Sequence, residues 1–222
     1  MTQKMLLVEG EADQIFFGAL LRNIGYKNKE ITVGPPREYG ATGNGKENAI
    51  NIFEDLLDSL TDGRISRLGL VVDADSKNSG GLGFLATYQR IEKLLSPKGY
   101  RVQNPPKKVL FDGFVFDNKY GLPKIGIWIM PTNQADGYIE DWCLTSAAAA
   151  ESQLVAKAQQ VVEGLNNKKF PEHFIAKAHT ATWLAWQKTP GEGLSSLIGN
   201  NLLNKNSDSY KGLSNWLKKV FY

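Results

Sequence analysis

Two short, almost unbroken apolar runs constrain this chain most: residues 4–8, Lys-Met-Leu-Leu-Val, and residues 67–72, Arg-Leu-Gly-Leu-Val-Val. A strand that is apolar at successive positions has both faces buried, which is the pattern of a parallel sheet covered on each side by helices. Gly10 ends the first run, and the following segment places Ile15, Phe16, Ala19, Leu20 and Ile24 on one helical face, with Gly25 just past it as a C-cap. A short strand at 31–33 leads into a Pro- and Gly-rich loop. A helix over residues 47–60 then carries Ile50, Phe53, Leu56, Leu57 and Leu60 on its apolar stripe. After the second run, a loop with Gly80, Gly81 and Gly83 precedes a helix over 84–95. Residues 107–117 alternate in the strand sense around Asp112 and Gly113, and residues 124–130 form another strand before Pro131. The last third is helical in character, at 147–165, 171–187 and 209–221. Strands alternating with helices of this length imply right-handed crossovers and an α/β fold with a mainly parallel sheet flanked by helices. No internal repeat or long linker interrupts the chain. The expectation is one domain over 1–222, with an α/β core at 1–145 and a helical C-terminal extension at 146–222.

Composition excludes several other classes. An apolar share of 42% with 22% charge rules out a disordered chain. No apolar run approaches the roughly 20 residues of a membrane span, so no membrane role is expected. The first residues lack the apolar centre and cleavage site of a signal peptide, and Cys143, the single cysteine, has no internal disulfide partner. A cytoplasmic location is expected. The net charge of +3 hides an asymmetry: residues 1–75 hold 12 acids and 8 bases, a net −4, and residues 76–222 hold 11 acids and 18 bases, a net +7. One part suits cations and another phosphates.

Three acidic clusters fall where strands end: Glu9, Glu11 and Asp13 after the first, Asp73 and Asp75 after the third, and Glu140 with Asp141 after the strand ending near Met130. In an open α/β sheet the carboxyl ends of parallel strands line the binding crevice, so Glu9 and Asp73 meet if their strands are neighbours. Asp73 and Asp75, two apart, point to one side while the strand conformation persists. Mg²⁺ or Mn²⁺ suits such oxygen ligands. Acids also end strands and complement helix dipoles, and Glu11 and Asp13 read equally as helix-start residues.

Val8-Glu9-Gly10 with Asp13, followed some sixty residues later by Leu70-Val71-Val72-Asp73-Ala74-Asp75, resembles the Toprim domain of topoisomerases, bacterial primases and OLD-family nucleases. The stretches Ile127 to Pro131, Gly137 to Trp142 and Lys177 to Ala185 look like a small bacterial Toprim-like family related to those nucleases. The resemblance implies a Toprim-like, Rossmann-like fold and a Mg²⁺-dependent nuclease acting on DNA or RNA. It makes Glu9 a general acid/base or metal ligand, Asp73, Asp75 and Glu140 metal ligands, and Lys177 a catalytic lysine. Asp141 is not distinguished from Glu140, and Lys177 reads equally as a surface residue. The other reading is a non-catalytic Toprim-fold module that binds nucleic acid or regulates a partner protein. A homodimer is left open.

Two further signals compete with these. Gly40, Gly45 and Lys46 fit the first part of a phosphate-binding P-loop, but Glu47 stands where Ser or Thr is needed, and prolines precede the loop instead of a strand. Lys98, Arg101, Lys107 and Lys108 form a basic stretch without acids, a candidate nucleic-acid-binding surface if it lies near the acidic site.

Overall fold

The computed structural model describes residues 2–77, 80–102 and 111–222. Strands β1 (Gln3–Leu7), β2 (Thr32–Gly34), β3 (Ile65–Asp73), β4 (Tyr100–Val102), β5 (Phe114–Asn118) and β6 (Ile125–Met130) form one sheet in the order β2-β1-β3-β6-β5-β4. β2, β1, β3 and β6 run parallel, β5 is antiparallel to β6, and β4 is antiparallel to β5. Helices α1 (Glu11–Asn23), α2 (Lys46–Thr61), α3 (Gly83–Leu95), α4 (Ile139–Thr145), α5 (Ser152–Glu163), α6 (Ile175–Ala185), α7 (Ser196–Gly199) and α8 (Asp208–Phe221) flank it. The result is an α/β fold of Rossmann-like type.

Alternation within the apolar runs explains the layers. Leu7, Leu70, Val72, Ile127 and Ile129 face α2 and α3, where Ile50, Phe53, Leu57, Ile91 and Leu95 complete one core. Their neighbours Leu6, Val8, Val71, Trp128 and Met130 face the opposite way, against Phe16, Phe17, Leu20 and Leu21 of α1 and the helices of the C-terminal third. Both faces are buried, so the central strands carry no polar side chain over Met5 to Val8, Leu68 to Val72 and Ile125 to Met130.

The C-terminal helices share this core. α8 lies across the sheet with Leu213, Trp216, Leu217, Val220 and Phe221 buried against it. Such close approach depends on glycine in the strands, because a Cβ at Gly126 would collide with the buried Val220 side chain. Gly126→Ala should therefore destabilise the fold by about 1–3 kcal/mol, the usual cost of overpacking. Urea denaturation checks this, and an unchanged midpoint would mean that α8 is free to shift.

Several local expectations need correction. Ile15 is 59% exposed, and the buried stripe of α1 is Phe16, Phe17, Leu20 and Leu21. The stripe shifts because α1 is wedged between the sheet and the C-terminal helices, with Phe16 edge-on to Trp142 at 5.8 Å. The stretches expected to be helical from 147 and 171 begin as 3-10 turns, Ala149–Glu151 and Glu172–Phe174, before α5 and α6. Of the strand expected over 107–117, Phe114 to Asp117 lie in β5. Among the described residues, no helix is long and apolar enough to cross a membrane.

Candidate functional site

The sheet brings the acids of the first and third strands together. β1 and β3 are neighbours with Leu7 opposite Leu70, so Glu9 and Asp73, one residue apart in register, leave the same edge. Glu9 Oε1 accepts a hydrogen bond from the Asp73 N–H at 2.7 Å. Asp73 Oδ1 in turn accepts from the N–H of Ile139, the first residue of α4, at 3.0 Å. That bond anchors the start of α4 and carries Glu140, which is buried, to the same edge. Asp13, in the first turn of α1, accepts from the Gly10 N–H at 3.0 Å. Across the opening, Lys177 of α6 places its ammonium 3.8 Å from Glu140 while staying largely exposed. These groups line a cleft of about 910 Å³, with Phe174 and His173 on its wall.

Burial and mutual repulsion dominate the electrostatics. Desolvation pushes Glu9 up to about 8; the Asp73 N–H opposes this, and the charges of Asp13 and Asp75 add to it. Asp13 is pushed up to about 6, first by burial and then by the Glu140 charge. Asp73 lies well above the ordinary carboxylate range for the same reasons, with Glu9 its strongest repelling neighbour. Glu140 is also raised by burial, against a lowering by Lys177. Five carboxyl groups, of Glu9, Asp13, Asp73, Asp75 and Glu140, face two lysines, Lys46 and Lys177, so their full ionisation would leave net negative charge.

The second of those lysines, Lys46, is the functional residue that sequence reasoning missed. The glycine loop before α2 docks on the end of β1, where the Gly45 N–H donates to the Glu9 carbonyl at 2.8 Å. Lys46, the first residue of α2, turns inward and is buried. Its ammonium donates to the Asp73 and Ala74 carbonyls, both at 3.2 Å, and to the Asp75 carboxylate. An ammonium has three donors, and all three are engaged within the protein. One signal pointed here: a lysine in the first turn of a helix opposes the helix dipole and needs local anions to hold it.

Asp75 departs from the expected geometry. β3 ends at Asp73, and Asp75 has φ 62°, in the left-handed region, so the strand pleat does not continue to it. Its backbone instead pairs with Gly137, with N–H···O distances of 3.0 and 3.1 Å. The carboxylate faces Lys46.

The basic stretch lies elsewhere. The antiparallel return through β5 sets Tyr100 opposite Asn118, at the amino edge of β6. Lys98 and Arg101 are therefore at the far end of the sheet, on the order of 20 Å from the acids at about 3.3 Å per strand residue. Lys98 pairs with Asp58 at 3.3 Å, and Arg101 bonds to the Ser96 carbonyl and hydroxyl. Lys98 and Arg101 therefore do not meet the condition of lying beside the acidic cleft; Lys107 and Lys108 lie outside the described residues.

The acids offer oxygen donors only, the type of ligand that hard cations take. Among the described residues, no three His, Cys, Asp or Glu side chains already stand in a ligating arrangement. The backbone bonds described engage one oxygen each of Glu9 and Asp73.

Fold and cleft together define a Rossmann-like α/β protein with a buried acidic centre at the carboxyl edge of its parallel strands. Over residues 3–222 the chain matches the family described as protein of unknown function (DUF3226), and it belongs to that family. No curated protein and no solved structure matches it.

Proposed function

We propose that the cleft is the active site of a Mg²⁺- or Mn²⁺-dependent phosphodiesterase acting on DNA or RNA, a nuclease of the Toprim type related to the OLD-family enzymes. One observation carries this reading: Glu9, Asp73 and Glu140, from three separate elements, converge at the edge of the sheet in a desolvated group with Lys177 opposite. Acids that served only to end strands or cap helices would have no reason to be buried against one another. Glu9, Asp73 and Glu140 would hold the ion, which when bound polarises a phosphate and lowers the pKa of an attacking water.

The remaining roles belong to the chain. Glu9, in the lining of the cleft, would transfer a proton to or from the reacting oxygens. Lys177, exposed on α6 above Glu140, faces the place where negative charge builds on the phosphate. The Asp73 carboxylate fixes the start of α4 and so sets the position of Glu140.

A second reading, a nucleic-acid-binding module without turnover, draws on the Lys46 ion pair, which already neutralises Asp75. One assay separates the two. Labelled single- and double-stranded DNA and RNA are incubated with the protein in Mg²⁺, Mn²⁺ or EDTA. The enzyme reading expects metal-dependent cleavage that EDTA stops. Salt-sensitive binding with no cleavage under any condition would leave only the second reading.

A further inference from the structure

The Lys46 ammonium occupies a complete set of hard oxygen donors: two main-chain carbonyls, of Asp73 and Ala74, and the Asp75 carboxylate. Carbonyls and a carboxylate converging on one point are the donors that a divalent cation would take. Neither partner is free to leave easily. The Gly45 N–H on the Glu9 carbonyl pins the start of α2 to β1, and the Lys46 side chain is only 8% exposed. On the other side, the left-handed backbone of Asp75 and its pairing with Gly137 turn this carboxylate toward Lys46.

From this arrangement we infer that Lys46 is the resident cation of the Asp75 position, so that the protein takes up one divalent ion, through Glu9, Asp73 and Glu140, and Asp75 is not a ligand. The inference rests on the metal-dependent reading above and sharpens it from one or two ions to one. It also gives the glycine loop a role, because the loop delivers a tethered ammonium to the place of a second metal. Lys46 is a positioning residue, since it holds the end of β3, with Asp73, in place for the open position.

Mn²⁺ titration of the metal-stripped protein, followed by calorimetry and by electron paramagnetic resonance, provides the test without any need for turnover. Wild type should bind one ion per chain. Asp75→Asn should bind one ion with affinity within about threefold of wild type, whereas Glu9→Gln and Asp73→Asn should lose about tenfold or more, the range typical of disturbed metal sites. Lys46→Met frees Asp75 and should admit a second ion, which the Lys46→Met, Asp75→Asn double variant loses. If Lys46→Met does not fold, wild type and Asp75→Asn decide alone. Two ions in wild type, or a tenfold loss in Asp75→Asn, would overturn the inference and leave the metal-dependent reading standing. No ion bound by wild type would remove both.

Discussion

Glu9→Gln should abolish metal-dependent cleavage, by roughly a thousandfold or more, because it removes a charged ligand and proton-transfer group from the reacting centre. The substitution isolates charge from structure. Gln keeps the side-chain volume and an oxygen that accepts the Asp73 N–H, so the bond joining the ends of β1 and β3 survives. Asp73→Asn behaves alike, since its oxygen still accepts the Ile139 N–H that anchors α4. Lys177→Ala should cost less, roughly tenfold to a hundredfold, because this exposed ammonium acts through charge at the rim of the cleft. Single-turnover rates on a labelled oligonucleotide give the comparison, and far-UV circular dichroism shows whether the folds match. A Glu9→Gln protein that cuts at the wild-type rate would remove Glu9 from the mechanism.

The same acids should make the metal-free protein less stable as pH rises. A carboxyl whose folded pKa is raised binds its proton more tightly in the folded state. For Glu9 the extra stability is fully present below about 4.5 and is lost as pH climbs toward about 8. Asp13 acts in the same sense up to about 6. A net loss on the order of 3 kcal/mol corresponds to a fall in Tm of roughly 6–12 °C for a chain of this size. In EDTA, scanning calorimetry should show that fall between pH 5 and pH 9. Mg²⁺ or Mn²⁺ should restore much of it at the upper end, because a cation bound to the folded state alone stabilises by mass action. Glu9→Gln should flatten the profile and raise Tm at pH 9 above that of wild type. A residue that weakens the metal-free fold while serving the chemistry is the expected compromise at an active site. A Tm independent of pH in EDTA would show that the acids are well solvated.

How much of this was legible in the sequence depends on distance along the chain. The apolar runs around Leu6 and Leu70 announce a buried parallel sheet, because a strand covered on both faces has no polar position to spare. From that sheet the meeting of Glu9 and Asp73 follows once β1 and β3 are neighbours. α4 was not legible as a helix, since seven residues are too few for a helical period to show. β4, with three, is shorter still. Whether the basic stretch lies near the acids could not be read, because its location depends on the antiparallel return through β5, a topological fact that a local charge count does not contain. Asp75 was misread because pleat geometry was carried two residues past Asp73, where the chain leaves the strand through a left-handed residue. Lys46 was hidden behind its resemblance to a nucleotide-binding loop. Only the fold shows its ammonium turned inward onto the end of β3.

The charge asymmetry takes on a definite form in the structure. Five of the twelve acids of the first 75 residues, Glu9, Glu11, Asp13, Asp73 and Asp75, line the cleft at the carboxyl edge of the sheet, joined by Glu140 from the second part. The positive excess of that second part is dispersed: Lys177 lies at the cleft, while Lys98 and Arg101 lie at the opposite edge.

The central claim is that the buried acids form a cation site, and anomalous diffraction from crystals soaked in Mn²⁺ tests it most directly. The account predicts one strong peak per chain in the cleft, with oxygens of Glu9, Asp73 and Glu140 at about 2.0–2.2 Å, the range for a small hard dication. Lys46 should remain on Asp75. No peak in the cleft, with the carboxylates still held by the Asp73 and Ile139 N–H groups alone, would contradict it.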